Sequence, residues 1–157
     1  MAKNKMQAAK IKKLSRYLDA REEWEYWRDR LNDLKGYETK ITPSMNGMPG
    51  GTPDGSKTEV LVEEYEEARE QEAATREAMN KAREYVAAAI QTVEVAAQRI
   101  LLRRRYIDGM KWERLAEASG KSRQWATVTH GVALANIVLP DQEEVTEKNC
   151  SFYKNSK

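Results

Sequence analysis

The feature that most constrains the fold is a pair of long apolar repeats separated by a stretch fit for neither helix nor sheet. Between about Gln7 and Lys35, Ile11, Leu14 and Leu18 open an apolar stripe that Tyr17, Ala20, Trp24, Trp27, Leu31 and Leu34 continue. The alternating three- and four-residue spacing predicts one amphipathic helix with a heptad-like seam, Arg and Glu covering its other face. Trp24 and Trp27 belong to that seam and are expected to pack on a partner helix. Gly36 is expected to end the helix. Residues 36–57 hold five Gly and three Pro and read as a flexible linker. Helix is expected to resume at Thr58, a suitable N-cap followed by Glu59. The second repeat, Leu61, Tyr65, Ala68, Glu72, Thr75, Met79, Ala82, Val86, Ala89 and Val93, keeps a 4-3 spacing but is polar in its middle and rich in small residues. Small residues let helices approach while burying little apolar area, so pairing there should be weak. Neither helix can hide its stripe alone, and the economical arrangement is an antiparallel hairpin or pairing between protomers. The expectation is an all-α chain whose residues 1–91 form a coiled-coil-like helical hairpin.

Residues 100–137 have a different grammar. Ile100, Leu101 and Leu102 lead into Arg103, Arg104 and Arg105, and Tyr106-Ile107 closes the helix before Asp108-Gly109. Gly at such a break supplies positive φ without a steric penalty. Trp112, Leu115 and Ala116 give a short helix one buried face. Gly120 ends it and Ser122 can cap the next helix, which runs toward Pro140. Two helices joined by a short Gly-containing turn form a helix-turn-helix, whose second helix commonly enters the DNA major groove. Around Gln91-Thr92 the pattern permits a break, with Thr92 able to cap a helix to about Ile107; nothing in it forbids a continuous helix from 58 to 107. The divisions read from the sequence are therefore 1–91, 92–138, and a polar tail, 139–157, expected to be disordered, with a short helix at 141–148 as its one candidate element.

Net charge is only +2, but its distribution is uneven. Residues 1–16 carry Lys3, Lys5, Lys10, Lys12, Lys13 and Arg16 with no acid; residues 58–80 carry eight Glu against Arg69 and Arg76; residues 99–123 carry eight Lys or Arg against Asp108, Glu113 and Glu117. A basic patch on a helix-turn-helix is the electrostatic footprint of phosphate contacts; a solvated helix face is the alternative for Arg103–Arg105.

The run R-Y-I-x-G-x-x-W-E-x-L-A-E (Arg105 to Glu117), followed by G-x-S-R-Q (Gly120 to Gln124) and H-x-x-A-L (His130 to Leu134), resembles region 4 of sigma-70-class bacterial transcription factors. It is similar in particular to the ArpU-type late-gene regulators of phages, over roughly a third of the chain. The resemblance implies a phage or prophage regulator that contacts double-stranded promoter DNA, host RNA polymerase, or both. By this likeness Ser122, Arg123 and Gln124 fall on the first turn of the recognition helix, where Arg123 suits guanine and Gln124 adenine; Thr127 lies one turn on, and the charge distribution adds Lys121, Arg103, Arg104 and Arg105 as candidate phosphate contacts. Three departures stand out. Lys111 occupies the usual Ser or Thr cap position, Ala118 and Ser119 replace larger apolar residues, and Trp125, Val128, Gly131 and Val132 leave the second helix without further cations. Trp125 and Val128 are expected to pack on the preceding long helices or to face a protein.

No catalytic or cofactor-binding constellation is expected. One His and one Cys make no usual zinc site, His130 reads as a packed or surface residue, and no phosphate-cradling loop is present. The single Cys150 fits a reducing bacterial cytoplasm, and no apolar run approaches membrane-spanning length. Two other classes stay open: an RNA-polymerase or other protein-interaction module without specific DNA binding, and a phage terminase small subunit. A homodimer through the long helices is compatible with each.

Overall fold

The computed structural model describes the backbone of residues 2–38 and 55–140 and the side chains of residues 5–37 and 59–140. It contains α1 (Ala2–Glu38), α2 (Gly55–Gln91), α3 (Ala96–Tyr106), α4 (Trp112–Ala118) and α5 (Arg123–Asn136), with no strand among the described residues. Two boundaries differ from those expected. Gly36 does not end the first helix, which continues to Glu38; one Gly near a helix end costs only ~1 kcal/mol, too little to stop a helix so long. Thr58 does not begin the second, because α2 starts at Gly55 and Gly-Ser-Lys contains nothing that forbids helix once Pro53 is passed. Residues 39–54 of the expected linker and the tail from 141 onward, with its candidate helix, lie outside the described residues.

The chain divides into two compact units, Ala20–Met79 and the remainder, residues 1–19 with residues 80–157. In the first, Leu31, Leu34 and Ala68 form a buried cluster against which Trp27, Leu61 and Tyr65 pack. Trp24 Nε1 donates to Glu72 Oε1 at 2.8 Å, and Arg30 bonds Glu64 at 2.9 Å, so successive partners on α2 come in reverse order. Every position of the second repeat, from Leu61 to Val93, is buried or half-buried. Its two polar members are satisfied rather than excluded: Glu72 accepts from Trp24, and the Thr75 hydroxyl donates to Gln71 O within its own helix at 2.7 Å.

In the other unit the face that α1 buries includes Leu14 and Tyr17 but not Ile11, which is 38% exposed. The residues turned inward one and two turns earlier are polar. Gln7 Nε2 donates to Gly131 O, and Lys10 Nζ donates to Leu134 O and Ile137 O at 2.8 and 2.9 Å. An ammonium there satisfies carbonyls that the end of α5 leaves without intrahelical donors. The break after α2 falls at Gln91, but Thr92 is not the cap of α3. That role falls to Val95, without a side-chain bond. The Thr92 hydroxyl instead donates to Ala89 O at 2.7 Å and accepts from Val138 N at 2.9 Å, while Arg99 bonds Val93 O and Glu94 O across the connection.

Ala68 is 1% exposed in the middle of the first cluster, so enlarging it should overpack the contact. Ala68→Leu, which improves the apolar repeat on paper, is expected to lower stability by ~1–3 kcal/mol in thermal unfolding. An unchanged or raised midpoint would show that a small side chain does not set the approach of α1 and α2.

Candidate nucleic-acid interface

Three helices and two glycine turns build the candidate interface. α3 exits through Gly109, at φ 71°, with Met110 N bonded to Arg104 O at 2.9 Å. Lys111 stands at the N-cap of α4 and makes no side-chain cap bond, as a side chain with no acceptor dictates. At its other end Gly120, at φ 61°, donates to Glu117 O, and Lys121 N donates to Ala116 O. This pair of bonds is the Schellman motif, with glycine in the left-handed position. A Cβ on Gly120 would meet nothing within 4 Å, so the dihedral and not space requires glycine. Ser122 follows at once, its Oγ accepting from Trp125 N at 3.1 Å, and α5 starts.

The core beneath this turn is apolar at one end and aromatic at the other. Leu101, Leu115, Ala116 and Ala126 form a buried cluster, with Met110, Trp112 and Trp125 packed against it. Trp125, half-buried, packs on the α3–α4 layer. At the other end Tyr106 Oη and His130 Nε2 share a buried hydrogen bond of 2.8 Å. Trp112 meets the His130 ring edge-on at 5.0 Å, and the Arg105 guanidinium lies 4.7 Å from the Trp112 centroid. Burial pushes His130 down to about 4, the Arg105 charge adding to it. Burial pushes Tyr106 up to about 12, against the pull of Arg105. Both rings are neutral near pH 7, and His130 is a packing residue.

The eight residues picked out from the sequence fall into two groups. Lys121, Ser122, Arg123, Gln124 and Thr127 are all exposed around the first turns of α5, and Arg103 is exposed on α3. Arg104 and Arg105 are half-buried and engaged: Arg104 donates to Ala118 O and Ser119 Oγ, both at 3.0 Å, and Arg105 to Met110 O at 2.8 Å. They tie α3 to the end of α4 and to the connection before it, so the basic run is neither a uniform phosphate surface nor a uniform solvated face. Within the first group, Ser122 Oγ already serves the cap, and the Thr127 hydroxyl bonds the backbone of its own helix at Arg123 O. Arg123 approaches Glu113 at 3.4 Å with both side chains about two-thirds exposed. Such a pair contributes no more than ~1 kcal/mol, so a phosphate or base edge can take Arg123 over. Lys111 and Arg114 are also exposed beside α4; the local excess of cations over acids was their only signal. Beyond the first turn the outward face of α5 has no charge, with Val128 60% and Val132 46% exposed. Among the described residues no group of His, Cys, Asp and Glu is arranged to hold a metal ion, and no helix is long and apolar enough to cross a membrane.

The neutral His130 sets a pH dependence. Its folded value of about 4 lies below the ordinary ~6.5, so the unfolded chain takes up the proton first. The stability from the neutral ring is fully present above pH 6.5 and is lost as pH falls from there toward 4, by on the order of 3 kcal/mol. Urea unfolding of the native chain and of His130→Phe should show a difference in slope confined to that window. Parallel pH profiles would rule out this linkage.

No protein-family model matches the chain, and neither a curated protein nor a solved structure matches it.

Proposed function

We propose that the chain is a double-stranded-DNA-binding transcriptional regulator of phage or prophage origin. In this reading α4 and α5 act as a helix-turn-helix of the sigma region 4 kind, and α1 and α2 act as a supporting helical hairpin. The observation that carries it is the presentation of the first turn of α5. A glycine-locked turn and a serine cap fix where that helix starts, its inner face is anchored by Trp125, Ala126 and His130, and its outward residues are Lys121, Arg123, Gln124 and Thr127. A rigid element with exposed Arg and Gln at its N-terminal end has the donors and acceptors that major-groove guanine and adenine edges require. Arg103 and Lys121 supply phosphate contacts alongside it.

Selection of bound duplexes from a random library tests the proposal. The full chain should enrich a defined sequence, and Arg123→Ala with Gln124→Ala should weaken it by ~1–3 kcal/mol per lost base contact. No enriched sequence, or equal enrichment by the double variant, would sink the assignment. The exposed Val128 and Val132 favour a second reading, a polymerase-contacting module, which pull-down of RNA polymerase without any enriched duplex would select.

The two kinds of arginine separate in the same assay. Arg103→Gln is expected to lower the salt slope of DNA binding by about 1 and leave the unfolding midpoint unchanged. Arg104→Gln is expected to destabilise the fold by ~0.5–1.5 kcal/mol through the lost bonds to Ala118 O and Ser119 Oγ. The reverse pattern would exchange their roles.

A further inference from the structure

The first four turns of α1 carry Lys5, Lys12, Lys13 and Arg16, every one of them exposed. At 3.6 residues per turn these four fall within an arc of about 100°. Gln7, Lys10, Leu14 and Tyr17 lie on another side of the helix, the side that is buried or bonded to α5. The sixteen residues up to Arg16 contain no acid, and the first carboxylate on α1 is the exposed Asp19, one turn beyond Arg16 at the edge of the stripe. Its cations span on the order of 16 Å along a straight helix, and the Lys10 bonds to Leu134 O and Ile137 O hold that helix to the end of α5.

We infer that this stripe is a second, sequence-independent contact to duplex DNA, made to the phosphate backbone apart from the bases read by α5. Charge complementarity identifies the partner. Along one strand a duplex presents a phosphate charge per ~3.4 Å of axis, close to the ~4 Å per charge of four cations spread over ~16 Å of rigid helix. A lipid surface fits less well. Helices that lie in a membrane interface turn an apolar face to the lipid, and here Leu14 and Tyr17 are 0% and 8% exposed, buried in the protein. The inference rests on the proposed DNA-binding role, but does not depend on base recognition by α5.

The test compares the full chain with Lys5→Gln/Lys12→Gln/Lys13→Gln/Arg16→Gln, whose exposed positions leave the core intact, with circular dichroism to verify the helix content. Binding is measured across a salt series on the selected duplex and on a scrambled one. The expected result is a loss of roughly tenfold or more on both duplexes. The salt slope should be lower by about 3 to 4, with the ratio between the duplexes preserved. Equal affinity and slope for the two proteins would overturn the inference, as would unchanged DNA binding with lost adhesion to phosphatidylserine vesicles. So would unchanged DNA binding with a smaller oligomer by light scattering, which would give the stripe to the acidic helix of a second copy. A native chain that binds both duplexes equally, with the slope still falling in the variant, sinks base reading by α5 alone and leaves the stripe standing.

Discussion

The buried bond between Tyr106 and His130 is the interaction on which the C-terminal helices depend. It joins α3 to α5, and Trp112 of α4 meets the same imidazole edge-on, so one ring holds three helices. A neutral imidazole is required, because a charge placed there would face desolvation and the Arg105 guanidinium together. The apolar cluster at the other end, around Leu101, Leu115 and Ala126, supplies area but no direction. The hydrogen bond and the ring geometry set the rotation of α5, and with it which residues face outward.

Much of the positive charge in this protein works on the protein itself. Arg99, Arg104 and Arg105 donate to main-chain carbonyls in the connections around α3 and α4, and Lys10 does the same at the end of α5. Each carbonyl lies in or next to a helix terminus, where intrahelical donors run out. A helical chain with short connections has many such ends, and long cationic side chains reach them from a distance while laying their stems on apolar surface. A count of basic residues therefore overstates the charge offered to a partner; the exposed cations that no nearby run of Glu offsets include Lys5, Lys12, Lys13 and Arg16 of α1 and Lys121 and Arg123 at the start of α5.

Periodicity made much of the architecture legible. The 4-3 spacing from Leu61 to Val93 marks buried positions even where the residue is Glu or Thr, because spacing reports the helix face and chemistry only reports how that face is satisfied. The Gly120 turn and the Ser122 cap were readable for the same reason, each being a local backbone requirement with a matching residue. What could not be read were contacts distant in sequence. Nothing near Lys10 announces that its ammonium caps a helix more than a hundred residues later, and the spacing alone puts Ile11 on the inward stripe. Nothing near Thr92 shows that Val138 awaits its hydroxyl; the local pattern only permits a helix start there, or an uninterrupted helix. Arg104 and Arg105 looked like surface for the same reason, and of the eight candidate site residues these two were the ones hidden by tertiary structure.

The Thr92 hydroxyl has one more implication. Donating to Ala89 O and accepting from Val138 N, it brings the chain leading into α3 beside the chain leaving α5. The three helices between are thus a closed loop of polypeptide, whose two attachment points adjoin. Units with adjoining ends transplant readily, since a host needs to open only a narrow gap to accept them. Here such a transplant would have to carry the first turns of α1 as well, because Lys10 supplies the donor for Leu134 O and Ile137 O at the chain's exit from α5.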